Sequence, residues 1–172
     1  MVSYTDLLWG YCMLILGIDP GLATIGFGLV IKNGDKYRAA EYGAITTAPK
    51  QMIEKRLGEI YDSMVELITR TKPDCMVIEE IFFNNNITTA IDVSMARGVI
   101  LLAAYKCGVD IYEYTPLEVK SSVVGYGRAE KQQVQYMVRL MLGLSETPKP
   151  DDTADALALA LCHGTRMTPE FR

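Results

Sequence analysis

The stretch Leu14-Ile15-Leu16-Gly17-Ile18-Asp19-Pro20-Gly21 constrains this chain more than any other. An unbroken apolar run that ends in Asp-Pro-Gly predicts a fully buried strand whose last residue emerges at a turn. Asp19 stands at that exit. By itself it suits the turn, since Asp before Pro-Gly fits turn geometry. A second use opens only if other acids converge on it, because several carboxylates around one point need a cation.

Beyond that turn, Thr24 to Lys32 is rich in Ile, Phe, Val and Gly, and Lys36 to Thr47 follows across Asn33-Gly34-Asp35, a strong hairpin signal. Three successive antiparallel strands are expected. Ile53, Leu57, Ile60, Met64, Leu67 and Ile68 then recur at helical spacing with charged residues between them, which predicts an amphipathic helix over one sheet face. Lys72-Pro73-Asp74 ends it, and Cys75 to Glu80 reads as a short buried strand that again finishes in acid. Asn84-Asn85-Asn86 is a polar loop, with Asn86 placed to cap a long helix reaching about Lys106. Gly98, inside that helix beside Arg97, predicts close packing. Asp110 to Thr115 reads as a fifth strand, and Pro116 opens a short helix near Lys120. After the Gly125-Tyr126-Gly127 loop, Val134, Met137, Val138 and Met141 form the apolar stripe of a helix over Ala129 to Leu142. A last helix runs from Pro150 through Ala-Leu repeats to Cys162. Such an order predicts an α/β protein, a mixed sheet covered by helices.

The last helix supplies more acids. Asp152 and Asp155 are three apart and project from nearly the same face, and Ala156 and Ala158 beside them would let this end lie close to the sheet. Helix-start chemistry accounts for part of this, since Asp is favoured at the N-cap and in the first turn; one of Asp151 and Asp152 is expected to be the cap. Asp155, deeper and followed at once by apolar residues, is not explained that way. At the second acidic strand end, Glu79 and Glu80 point to opposite faces, so only one can join Asp19. Carboxylates without His or Cys suit Mg²⁺, which prefers hard oxygen ligands. Two Mg²⁺ ions about 3.5 to 4 Å apart would supply what phosphodiester hydrolysis needs: a nucleophilic water, charge neutralisation and a stabilised leaving oxyanion.

Composition sets outer bounds. At 172 residues the chain fits one domain. No apolar run reaches the roughly 18 to 20 residues of a membrane span. No Lys or Arg precedes the apolar Leu7 to Leu16 segment and no small-residue cleavage site follows it, so a cytoplasmic protein is expected. Cys12, Cys75, Cys107 and Cys162 are widely spaced, which predicts reduced thiols and no zinc site. The single histidine, His163, offers little basis for histidine catalysis. A net charge of −4 argues gently against nucleic acid, yet Arg97 to Gly143 holds six of the basic residues and leaves room for a locally basic face. Arg128, Lys131, Gln135 and Arg139 recur at helical spacing opposite an apolar stripe, a pattern that an ordinary solvated face also has.

Taken together, Gly17 to Gly21, Val77-Ile78-Glu79, Ala96-Arg97-Gly98, Val119-Lys120 through Gly125, Ala129-Glu130-Lys131 with Val134-Gln135, and Asp152 to Ala158 resemble the RuvC family of Holliday-junction resolvases. The match runs in order from about Met13 to Gly164. It implies an RNase H-like fold with a mixed five-stranded sheet covered by helices on both faces, a homodimer, and Mg²⁺-dependent paired cleavage of four-way DNA junctions in recombination and repair. By the resemblance Asp19, Glu79, Asp152 and Asp155 are the metal ligands, Lys120 and Lys131 lie near the DNA backbone, and Phe82 meets bases at the crossover. A branch-migration helicase complex is the implied partner. The expected nuclease domain spans 13–166, with an N-terminal extension over 1–12 and a tail over 167–172.

Two other readings stay open on the sequence. A Gly-Ile-Asp-x-Gly strand turn also faces nucleotide phosphates in actin-like kinases and ATPases, although those need two such domains. An RNase H-like protein could instead bind or cut other branched nucleic acid. Phe82-Phe83 could be core, or one of them could stack on an unpaired base. The apolar residues Ile91, Met95, Val99 and Leu102 of the long helix are the expected dimer surface.

Overall fold

The computed structural model of the chain describes residues 12–80 and 87–167. Phe82, Phe83 and the Asn84–Asn86 loop lie outside them, as do residues 1–11. Ten elements follow in order: β1 (Cys12–Asp19), β2 (Thr24–Asn33), β3 (Lys36–Thr46), α1 (Ile53–Thr71), β4 (Cys75–Glu79), α2 (Ile87–Lys106), β5 (Asp110–Tyr114), α3 (Pro116–Val124), α4 (Lys131–Met141) and α5 (Asp151–Arg166). The sheet order is β3-β2-β1-β4-β5. β1, β2 and β3 are antiparallel neighbours, whereas β4 runs parallel to β1 and to β5. β1 begins one residue earlier than expected because β2 extends to Asn33 and gives Cys12 a partner.

Strand alternation sorts the side chains onto two faces. Leu16, Ile18, Ile25, Leu29, Met76 and Ile78 pack with Ile60, Met64, Leu67 and Ile68 of α1 and with Ala96, Ile100, Ala103 and Ala104 of α2. On the other face Ile15, Val30, Cys75 and Val77 meet α5, α3 and α4. α5 is buried nearly all round, from Thr153 to Gly164 apart from Asp155.

Helix ends differ from expectation in two places. α4 starts at Lys131 and not at Ala129, because Glu130 is its N-cap and shares a capping box with Gln133. α5 has Pro150 at the N-cap, so Asp151 and Asp152 both occupy the first turn, where the helix dipole still favours them. Gly98 is a further correction: it is exposed, and a side chain there would meet no described atom within 4 Å. The four cysteines are all free. Among the described residues no helix is long and apolar enough to cross a membrane.

Candidate active site

Asp19 and Glu79 reach the same place by register. Ile18 pairs with Ile78 in the parallel β1–β4 ladder, so the next residues, Asp19 and Glu79, close neighbouring strands at their C-terminal ends. Two-residue alternation puts both on the α5 face, with Gly17 and Val77. Glu80 is exposed, and its backbone N–H donates to the Tyr114 carbonyl.

Glycine brings α5 to them. Gly26 pairs with Asp19 and Gly28 with Gly17. A Cβ at Gly26 would overlap the Asp152 carbonyl oxygen, one at Gly17 the Ala156 carbonyl oxygen, and one at Gly28 the Leu157 side chain. Helix backbone therefore lies directly on the sheet. Thr153 fixes the approach by donating its hydroxyl to the Gly43 carbonyl at 3.1 Å.

A pocket of about 220 Å³ results, lined by Asp19, Glu79, Asp155, Lys120 and Lys131 and walled by Pro116, Val119, Val134, Ala158 and Leu159. Asp152 is not among its lining residues, although its charge acts on both Asp19 and Asp155. Burial pushes the Asp19 carboxyl up to about 8, assisted by the charges of Asp155, Glu79 and Asp152. Glu79 is raised by burial and by Asp155, with Lys120 and Lys131 opposing. Asp155 is likewise raised by burial, against the pull of Lys131. Mutually repelling, partly buried carboxylates with no nitrogen or sulfur donor among them suit a hard divalent cation. As placed, no three His, Cys, Asp or Glu side chains among the described residues are arranged around one ion.

The basic residues separate into groups. Lys120, on α3, and Lys131, the first residue of α4, face the acids. Arg128 is exposed in the α3–α4 loop. Arg139 lies over the Tyr136 ring at 5.5 Å and donates to the Ser145 carbonyl at 3.4 Å, away from the pocket.

Two basic side chains make contacts that had no signal in the sequence. Lys131 Nζ lies 3.3 Å from Asp151 Oδ2 as well as 3.0 Å from Asp155 Oδ2. Arg97 reaches from α2 to donate to the Glu79 carbonyl at 3.3 Å and to pair with Glu113 at 2.7 Å, fixing the strand end that carries the pocket's glutamate.

Acids at adjacent strand ends of this mixed sheet, facing an acid-bearing helix, define the RNase H-like class. The yeast mitochondrial Holliday junction resolvase Ydc2 shares the fold at a TM-score of 0.67 and 14% identity, over 88% of this chain and 78% of its own. Sequence narrows the class. A family model described as crossover junction endodeoxyribonuclease RuvC matches residues 15–163. The chain is 57% identical over 151 residues to the RuvC of Alkaliphilus metalliredigens, covering 88% of this chain and 92% of that one. Identity to the RuvC of Halothermothrix orenii is 55% over 152 residues, covering 88% and 92%. T. thermophilus RuvC in complex with Holliday junction substrate superposes with a TM-score of 0.84 at 39% identity, over 89% of this chain and 93% of that one. The chain belongs to the RuvC family of crossover junction endodeoxyribonucleases. An actin-like nucleotide-binding fragment is thereby set aside.

Proposed function

We propose that this chain resolves four-way DNA junctions in recombination and repair, as a Mg²⁺-dependent homodimeric endonuclease that makes paired symmetric nicks. The observation that carries this reading is the convergence of Asp19, Glu79 and Asp155 on one pocket that also holds Lys120 and Lys131. Asp19, Glu79, Asp152 and Asp155 would hold the metal. When bound, paired divalent ions activate water and neutralise charge on the phosphate and the leaving oxygen.

The chain's own residues do the rest. The acids sit on two strand ends and a buried helix, rigid elements that limit their reorganisation. Val119, Val134 and Leu159 exclude water from one side of the pocket and strengthen every charge interaction inside it. Lys120 supplies a cation on the Glu79 side, where charge grows on the reacting phosphate. Arg128 and Arg139 are assigned to backbone phosphates further along the strand. Phe82, outside the described residues, would stack on an opened base.

Dimerisation is assigned to α2. Ile91 is 54% exposed, Leu102 49% and Tyr105 75%, and Gly98 lies among them with open space above it. Met95 and Val99 are half-buried, Val99 against the core, so the outward stripe is shifted toward Tyr105. A two-fold protein matches a two-fold junction.

Cleavage assays on four-way, duplex and flap DNA with and without Mg²⁺ test this. The expected result is metal-dependent cutting of the four-way junction alone. Asp19→Asn should abolish cleavage while junction binding survives, because phosphate contacts dominate affinity. Retained cleavage by that variant would overturn the metal assignment.

A further inference from the structure

Lys131 stands where a lysine is electrostatically disfavoured. It is the first residue of α4, at the positive end of the helix dipole. Its ammonium nevertheless stays there, held by Asp155 at 3.0 Å and Asp151 at 3.3 Å from the first turns of α5. Partial burial of its stem alone would lower its proton affinity, but the two ion pairs outweigh that and raise it. Asp155 has a second set of neighbours, since it lines the pocket with Asp19 and Glu79. One carboxylate therefore faces a resident cation on one side and the unpaired acids on the other. Exposure makes the resident exchangeable: the Lys131 side chain is 50% exposed and that of Asp155 34%, so water can take up either partner when the pair opens.

Resting on the reading that these acids hold divalent ions, we propose that Lys131 is the site's internal counter-cation. It holds Asp155 in the DNA-free protein, gives it up to the metal, and then serves a backbone phosphate of the bound strand. This goes beyond a basic residue near DNA, because it makes one ammonium the competitor of the metal and the partner of the substrate. Metal loading frees the ammonium for phosphate, and phosphate binding draws it off the metal ligand. Each event then favours the other, by the same factor in both directions. Lys120 is the internal comparison. It lines the same pocket and acts on Glu79 through its charge, but no described carboxylate pairs with it.

The test is Mn²⁺ affinity of the DNA-free protein, by calorimetry or by the spin-resonance signal of free Mn²⁺, for the wild type, Lys131→Gln, Lys131→Arg and Lys120→Gln. Lys131→Gln should bind Mn²⁺ about two- to five-fold more tightly, the range that a half-exposed ion pair represents. Lys131→Arg, which keeps a cation on Asp155, should stay close to wild type. Lys120→Gln should gain less than Lys131→Gln. In a second arm, the tightening of junction binding by Ca²⁺ should be smaller in Lys131→Gln than in the wild type. Unchanged or weaker Mn²⁺ binding by Lys131→Gln, or an equal gain from Lys120→Gln, would overturn the proposal. Failure of the underlying reading looks different: the wild type would take up no Mn²⁺, or Asp19→Asn would bind it equally well.

Discussion

Under α1 and α2 the sheet presents Leu16, Ile18, Leu29, Met76 and Ile78, and the gap to the helices is filled by large side chains. Under the N-terminal half of α5 it presents Gly17, Gly26 and Gly28, and the space is filled by helix backbone at Gly17 and Gly26 and by the Leu157 side chain at Gly28. The first face buries volume and the second sets a distance. Aliphatic packing tolerates a lost methyl group, because neighbouring side chains relax partway into the gap. Backbone against backbone has no flexible atom to move, so any added group shifts the whole helix, and with it Asp152 and Asp155.

Adjacent residues of β1 allow a direct trial. Ile18→Val should cost about 1 kcal/mol in urea denaturation and leave cleavage near wild type. Gly17→Ala should cost about 3 kcal/mol or more and abolish cleavage, since its methyl group would overlap the Ala156 carbonyl. Equal costs at the two positions would break the contrast between the faces.

An effect of opposite sign is expected at Asp19. Its carboxyl is raised to about 8, so between its ordinary value of 3.8 and that point the folded chain keeps a proton that the unfolded chain releases. Metal-free stability should thus fall as pH rises through this window, with the full penalty above about pH 8 and none below about pH 4. Asp19→Asn removes the penalty. Calorimetry in chelator at pH 8.5 should find its melting temperature above that of the wild type, with the gap closing at pH 4. A lower melting temperature at pH 8.5 would mean that the site stabilises the fold without metal.

The smallest effect concerns the far end of α5. His163 is buried, with Nδ1 2.8 Å from the Tyr114 hydroxyl and its ring against Tyr112. Burial holds its proton affinity below the usual value of 6.5, so the unfolded state takes up a proton that the folded state refuses. Stability should fall as pH drops below about 6.5, by about 1.4 kcal/mol per pH unit at most from this group, and His163→Phe should flatten the slope. An unchanged slope would assign it to other groups.

How much of this was legible beforehand follows from range. Strand alternation placed Glu79 and Glu80 on opposite faces, and the three-residue spacing put Asp152 and Asp155 on one side of α5, because both are local periodicities. Ala156 and Ala158 signalled close helix packing, but the glycines that receive the helix could not be matched to it, since they belong to strands more than a hundred residues away. The Lys131–Asp151 and Arg97–Glu79 contacts join residues only 20 and 18 apart, but each links two separately folded elements whose docking no local period encodes. Gly98 was expected to mark close packing, and no described atom lies within 4 Å of a side chain placed there.

The position of α5 also has a consequence for biosynthesis. Asp19 and Glu79 are made early, on strands that can pair as soon as β4 emerges. Asp152 and Asp155 arrive only with the final helix. A growing chain therefore carries a half-site, two acids without their counterparts or their packing layer, until α5 docks onto the glycine track. Docking of that one helix both completes the core and brings Asp155 to Asp19 and Glu79.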